Sequence, residues 1–273
     1  MLLESEQDVL AWYESQPRVV TPAFVASVPW GEIAKTPLDP TFVPVMRYMR
    51  DVEMFTTLYA SQMRQSPTWQ DPSIRNFMER WTMEEPEHGN LLNRFLGEAG
   101  YPSLENWKEA ARDELPNGYD AAAKTQTRLL SLLGREQTAA VHMTWGAVNE
   151  YSTLTAYQRL WQAANHPVLE TILRAIAREE AMHSFFYWSM ARIKLKASKT
   201  RRAITRFLLD RFWQPIGADV KGMDAIQMVL RTLFAGADGL HMIEQQVNRR
   251  LQELPGFETD TVVRDRVARM VGM

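Results

Sequence analysis

The chain has 273 residues, no cysteine, and 31 basic against 33 acidic side chains, which gives a formal net charge of −2. The lack of cysteine excludes disulfides, thiolate zinc sites, iron–sulfur clusters and a catalytic thiol, and the balanced charge offers no general basic field to nucleic acid. No apolar run approaches the roughly 18 residues of a membrane span, and the first residues, MLLESEQDVL, lack the pattern of a signal peptide. These features predict a cytoplasmic globular protein with neither a membrane span nor a nucleic-acid partner.

Apolar residues at helical spacing predict helices along most of the chain. Residues 16–44 contain six prolines and are expected to form an irregular lead-in. Shorter helices are expected near 103–115 and 119–133, further helices within 201–253, and a loose tail after them. Because strand-like alternation is nearly absent, we predict one all-α domain over residues 1–273. The four longest predicted helices lie at about 45–63, 73–97, 135–164 and 168–195.

The motif E-E-x-x-H occurs twice, at residues 84–88 and 179–183. Residues three apart share one face of an α-helix, so the second glutamate and the histidine of each motif can hold one metal ion together. A carboxylate and an imidazole suit iron or manganese, and a carboxylate can bridge two ions. A single motif of this kind is usually a solvated surface pair, but its repetition favours a metal site. The paired candidates are Glu85 with His88, and Glu180 with His183.

The first and third long helices each carry a glutamate on an apolar face. Glu53 shares a stripe with Met49, and Glu150 shares one with Ala147 and Tyr157. An isolated charge buried there would cost several kcal/mol or become protonated, and a divalent ion removes that cost. Helical bundles build two-metal sites from one Glu on each of two helices and Glu-x-x-His on each of the other two. The order of the motifs therefore predicts a two-metal site with six ligands.

The segment RWTMEEPEHGNLLNRFL, residues 80–96, resembles the W-T-A-E-E-N-R-H-G-D-L-L-N-[KR]-[YF]-L motif of the soluble acyl-carrier-protein desaturases. These are di-iron enzymes of the ferritin-like superfamily. Residues 51–59, 149–153 and 176–183 are similar to the other three ligand helices of that family. The resemblance extends from about 45 to 100 and from 140 to 190. It implies a ferritin-like four-helix bundle with flanking helices that uses iron and O2 to introduce a double bond into a fatty acyl chain.

The resemblance also implies a role for each ligand. The cofactor would be two iron ions, Fe2+ or Fe3+, with manganese as an alternative, and O2 would be the co-substrate. Glu85 and Glu180 would bridge the two ions. Glu53 and His88 would complete the coordination of one ion, and Glu150 and His183 that of the other.

Four further residues are implied to assist the site. Thr153 would place a hydroxyl near the cluster and help to deliver protons. Glu84 and Glu179 would accept a hydrogen bond from the imidazole of the opposite histidine, which fixes the orientation of the ring. Trp81 would be a buried aromatic residue near the site, either on an electron path or simply part of the core.

Three positions depart from the family pattern. The family has arginine immediately before each ligand histidine, where this chain has Glu87 and Met182, and Pro86 removes a backbone donor within the helix and is expected to kink it. These departures leave three functions open. The first is an acyl-carrier-protein desaturase, and the second is a di-iron oxygenase that hydroxylates or N-oxygenates another substrate. The third is a ferritin-like iron-binding protein, against which the extra C-terminal helices argue.

Residues 192–206, RIKLKASKTRRAITR, contain seven basic residues and no acid. This segment is either a solvated face or a docking surface that attracts an acidic partner. The resemblance implies two acidic partners, the acyl-carrier protein with its acyl substrate and a ferredoxin-type electron donor, and also a homodimer. The residues expected to dock the carrier protein are Lys199, Arg201 and Arg202.

Overall fold

The computed structural model describes residues 2–273, in which all regular secondary structure is helical. The predicted all-α class is therefore confirmed. Short turns of 3₁₀-helix cover Trp30–Lys35, Pro40–Phe42 and Pro67–Gln70, and one π-helical turn covers Glu244–Asn248. The α-helices are α1 (Glu6–Ser15), α2 (Pro22–Ser27), α3 (Val43–Arg64), α4 (Pro72–Glu98), α5 (Trp107–Asp113), α6 (Tyr119–Ser131), α7 (Arg135–Ala164), α8 (Pro167–Lys196), α9 (Lys199–Phe212), α10 (Ala218–Lys221), α11 (Met223–Phe234), α12 (Ala237–Ile243), α13 (Arg249–Gln252) and α14 (Val262–Val271).

The four longest helices pair as two hairpins, α3 with α4 and α7 with α8, and the hairpins pack together through α4 and α8. Their bounds differ from the predicted ones by no more than two residues, which is the usual uncertainty of a helix end. Helix α4 continues through Pro86 to Glu98, so the proline does not end it. The predicted metal ligands therefore lie on four long neighbouring helices.

The tight turn between α7 and α8 is determined by three consecutive residues. Asn165 adopts a left-handed conformation with φ 46°, which ends α7. The Nδ1 atom of His166 then accepts a hydrogen bond from the Leu169 amide at 3.2 Å and caps α8. Pro167 follows at the first helical position, where its missing N–H is not needed. This turn sets the second hairpin of the bundle in register.

The N-terminal segment is more ordered than its prolines suggest. Helix α1, which the sequence reading did not anticipate, packs against α4 and α8. Its Tyr13 is fully buried, with ring centroids 4.8 Å from Phe77 and 5.6 Å from Phe186. The lead-in expected to be irregular contains α2 and two 3₁₀ turns. This segment closes one side of the bundle.

The C-terminal tail, expected to be loose, is also helical. Helix α14 packs against α11 and α12 and buries Val263 and Val267. Repetition of apolar side chains four residues apart places both on one helical face. Helices α11 to α14 together form a cover over one face of the bundle. Within residues 2–273, no helix is both long and apolar enough to cross a membrane.

At Gly146, α7 lies directly against a side chain of α8, and an added Cβ atom would overlap the ring of the buried Tyr187. We expect Gly146→Ala to lower the free energy of unfolding by about 1–2 kcal/mol, since overpacking costs roughly 1–3 kcal/mol and the better helix propensity of alanine returns about 1 kcal/mol at most. Urea denaturation measures this difference. The control is Gly31→Ala, where a Cβ atom would meet nothing within 4 Å. Equal stability of the two variants would contradict the expectation.

Candidate metal centre

The six candidate ligands meet in the middle of the bundle, and all are buried. They form two groups that share Glu85 and Glu180, so these two carboxylates are placed to bridge a pair of ions. In each group one ligand atom of every residue lies within 4.8 Å of the others. The groups are Glu53, Glu85, His88 and Glu180, and Glu85, Glu150, Glu180 and His183.

Both histidines direct Nδ1 into the cluster of carboxylates. The Nδ1 atom of His88 lies 3.2 Å from Glu180 Oε1 and 3.8 Å from Glu53 Oε2. The Nδ1 atom of His183 lies 2.9 Å from Glu85 Oε1 and 3.9 Å from Glu150 Oε2. The Nδ1 atom of His183 also lies 3.8 Å from Glu180 Oε2. Each imidazole therefore faces at least one shared carboxylate and one unshared carboxylate, as a ligand at one of two metal positions would.

The opposite nitrogen of each ring contacts the glutamate that precedes the ligand glutamate on the facing helix. His88 Nε2 lies 2.8 Å from Glu179 Oε2, and His183 Nε2 lies 2.9 Å from Glu84 Oε2. A carboxylate at this position accepts a hydrogen bond from the protonated Nε2 and leaves Nδ1 with a free lone pair for a metal ion. The crossed pairing thus links α4 to α8 on both sides of the site.

The outer carboxylates have further partners that the sequence reading missed. Glu84 accepts hydrogen bonds from the Tyr13 hydroxyl at 2.7 Å and from Arg80 Nε at 2.7 Å. Burial alone would raise the pKa of Glu84, but the hydrogen bonds from His183, Arg80 and Tyr13 lower it to about 2. Glu84 therefore stays ionised and keeps the ring of His183 in one orientation.

Glu179 is held by the main chain of the lead-in. Its Oε1 atom accepts hydrogen bonds from the amides of Val19 at 2.6 Å and Val20 at 2.9 Å. Burial opposes its ionisation, but the pKa of Glu179 is lowered by His88 and by these two amides. No side-chain motif encodes such donors, which explains why they were not found in the sequence.

The inner carboxylates, those of the candidate ligands, lie close together and repel one another. Burial, and then repulsion from neighbouring carboxylates, raises the pKa of Glu85 and of Glu150 well above the usual range. Burial also opposes ionisation of Glu180, but the nearby imidazoles of His183 and His88 lower its pKa. Such repulsion is expected where several carboxylates face one another without a cation between them.

Several atoms that face this centre are buried without a hydrogen-bond partner among residues 2–273: Glu85 Oε1, both carboxylate oxygens of Glu180, and Nδ1 of His88 and of His183. The His183–Glu85 contact is short but lacks hydrogen-bond geometry. Buried oxygen and nitrogen atoms that face one another without hydrogen-bond partners are suitable ligand atoms for iron or manganese. Two divalent ions would also balance the charge of the four inner carboxylates. The residues therefore fit a two-metal site.

Glu53 has a second contact on the side away from His88. The buried Tyr157 hydroxyl donates a hydrogen bond to Glu53 Oε1. Burial, and then the charge of Glu53, raises the pKa of Tyr157 well above its usual range, so the phenol keeps its proton and acts as donor. Tyr157 was recognised in the sequence only as part of the apolar stripe of Glu150.

An apolar pocket reaches the cluster at Glu53, which is one of its lining residues. Thr153 and Tyr157 also line it, together with side chains of α11 that include Val229, Leu230 and Phe234. The pocket thus brings an apolar molecule beside the candidate ligands and Thr153.

Trp81 is buried in an aromatic group beside the site. Its ring centroid lies 6.2–6.4 Å from those of Tyr59, Phe77 and Tyr187. Phe77 in turn lies 6.2 Å from the ring of His183. Trp81 therefore contacts the site through Phe77 and forms part of the surrounding core.

The two positions that carry arginine in the resembled family lie outside the cluster. Glu87 is exposed and accepts a hydrogen bond from Asn90, and Met182 is half-buried. Positive charge is supplied instead by Arg80, one turn before Glu84 on α4. Glu87, which stands where the resembled family has arginine, therefore adds no negative charge to the interior.

Residues 48–220 match the family model described as fatty acid desaturase. No curated protein and no solved structure matches the chain. The matched segment contains all six candidate ligands and ends before α11, so the wall of the pocket formed by α11 lies outside it.

We expect Glu85→Ala to reduce bound iron from about two ions per chain to less than one, because Glu85 belongs to both groups of ligands. Metal analysis after anaerobic loading with Fe(II) measures the content. Glu87→Ala is the matched control, since it removes an exposed carboxylate two residues away on the same helix and should retain the full content. Undiminished iron in Glu85→Ala would contradict the assignment.

Proposed function

The chain belongs to the fatty acid desaturase family, and from this premise we propose that it is a di-iron, O2-dependent enzyme that introduces a double bond into a fatty acyl chain carried by an acyl-carrier protein. The observation that carries the proposal is the junction of the six-ligand cluster with the apolar pocket at Glu53. A metal site alone would fit iron storage equally well. The pocket, lined in part by Glu53, would bring an acyl chain next to the metal site.

Each part of the site has a place in this reaction. Bound iron would supply the O2 chemistry, which the protein cannot perform with its own side chains. Overall, O2, two electrons and two protons would remove two hydrogens from adjacent carbons of the chain and leave as two molecules of water. The apolar wall would exclude solvent from the reacting carbons. Thr153, which lines the same pocket as Glu53, would hold a hydroxyl where protons are needed.

Docking of the carrier protein is proposed for the basic residues of α9. Lys199 is exposed and Arg202 half-buried, whereas Arg201 lies 3.4 Å from Glu136 and donates to the carbonyl of Lys194, so it anchors α9 to the bundle. Lys194 itself is buried against Asp71 at 2.7 Å. The free positive charge of the segment is therefore smaller than its sequence suggests. Helix α9 is followed by Trp213, which lines the pocket and connects the two regions.

We expect the reduced, iron-loaded protein to convert an acyl-carrier-protein substrate in the presence of O2 and a reduced ferredoxin, and mass spectrometry of the acyl group distinguishes the outcomes. Loss of two hydrogens supports desaturation. Gain of one oxygen atom indicates an oxygenase, and an unchanged acyl group with oxidised iron retained in the protein indicates iron binding alone. Either of the last two results would overturn the proposed reaction.

We expect the double variant Lys199→Ala/Arg202→Ala to weaken carrier-protein binding by about 3- to 10-fold at low ionic strength, because exposed charge pairs contribute little each and are screened by salt. Titration calorimetry at low and high salt measures the change, which should shrink as salt rises. Lys124→Ala/Arg128→Ala removes two exposed basic residues from α6 and is the matched control. Equal affinity of the two double variants at low salt would contradict docking on α9.

A further inference from the structure

The two unshared carboxylates occupy equivalent places in the two hairpins. Glu53 lies on the first helix of one hairpin and Glu150 on the first helix of the other. Their Oε2 atoms lie 3.8 Å and 3.9 Å from the Nδ1 atoms of His88 and His183, respectively. By these distances alone, the two metal positions would be alike.

The residues two helical turns later are different. Tyr157 follows Glu150 by seven positions, and Ala60 follows Glu53 by the same seven. The Tyr157 hydroxyl crosses the bundle and donates a hydrogen bond to Glu53 Oε1, whereas the Ala60 side chain has no donor and no side chain among residues 2–273 donates a hydrogen bond to Glu150. The hydrogen bond from Tyr157 to Glu53 therefore makes the two metal positions different.

The hydrogen bond divides the work of the two Glu53 oxygens, since Oε1 accepts the phenol proton while Oε2 faces His88. We infer that Tyr157 is a positioning residue that holds Glu53 as a one-oxygen ligand and thereby distinguishes the metal position of Glu53 and His88 from that of Glu150 and His183. The inference rests on the two-metal site of the proposed function and does not depend on the identity of the substrate.

The distinguished position is also the one that faces the pocket. Glu53 and Tyr157 both line the apolar pocket, and Glu150 does not. A carboxylate whose Oε1 is held by Tyr157 would offer an ion only Oε2, the oxygen that faces His88. Tyr157 thus orders the side of the site that an apolar substrate would approach.

Metal titration separates this role from a general contribution to packing. Metal-free wild type, Tyr157→Phe and Tyr187→Phe are titrated anaerobically with Fe(II) against a competing chelator, and the thermal stability of each is recorded. Tyr187 is an apt control because it is equally buried, but its hydroxyl contacts Met78 Sδ at 3.2 Å rather than a ligand. Wild type should bind two ions in unequal steps, and Tyr187→Phe should retain both.

In Tyr157→Phe one step should weaken by about 10- to 100-fold, as is typical when a partner of a metal ligand is lost, while the other stays unchanged. Identical isotherms for Tyr157→Phe and wild type would overturn the inference, as would equal weakening of both steps. Failure of wild type to bind two ions would instead overturn the proposed function on which the inference rests.

Wild-type crystals loaded with Mn(II) provide a measurement that does not depend on the folding of a variant. One oxygen of Glu53 on the ion, with the other on Tyr157, supports the inference. Both oxygens of Glu53 on the ion would overturn it.

Discussion

Four carboxylates buried within one helical bundle repel one another, and the surrounding structure is arranged around that repulsion. In a medium of low dielectric constant, such charges are tolerated only with compensating positive charge or protons. Two imidazole rings supply part of the compensation, and the rise in the pKa of Glu85 and Glu150 shows that it is incomplete. Divalent ions would complete it, so the same feature that weakens the folded protein creates its affinity for metal.

The residues that surround the ligands hold this cluster of carboxylates and imidazoles in one geometry. Each imidazole is held by a carboxylate from the facing helix, and each of those carboxylates is held in turn by the N-terminal segment: Glu84 by Tyr13 and Glu179 by the amides of Val19 and Val20. Such outer partners usually tune metal affinity strongly. The lead-in is therefore part of the site, although it contains none of the six ligands.

The helices and the candidate ligands could be predicted because their signals are local. The spacing of Glu85 and His88 is set by one helical turn, and the Asn165-His166-Pro167 turn carries its own stop and start signals. Contacts between distant segments have no such signal. Tyr157 was visible on the stripe of Glu150, but the sequence did not reveal its partner on α3. Likewise, Lys194 looked like surface charge, because a buried ion pair and an exposed lysine are identical in sequence.

The dependence of the site on its N-terminal segment also has a consequence for biosynthesis. Tyr13 is translated 71 residues before Glu84, and Val19 is translated 160 residues before Glu179. Contacts of such long separation form only after the intervening chain has been made. The contacts of the N-terminal segment with Glu84 and Glu179 can therefore be completed only after α8 has been synthesised. Metal entering earlier would meet an incomplete set of ligands, so a correctly loaded centre is a late product of translation.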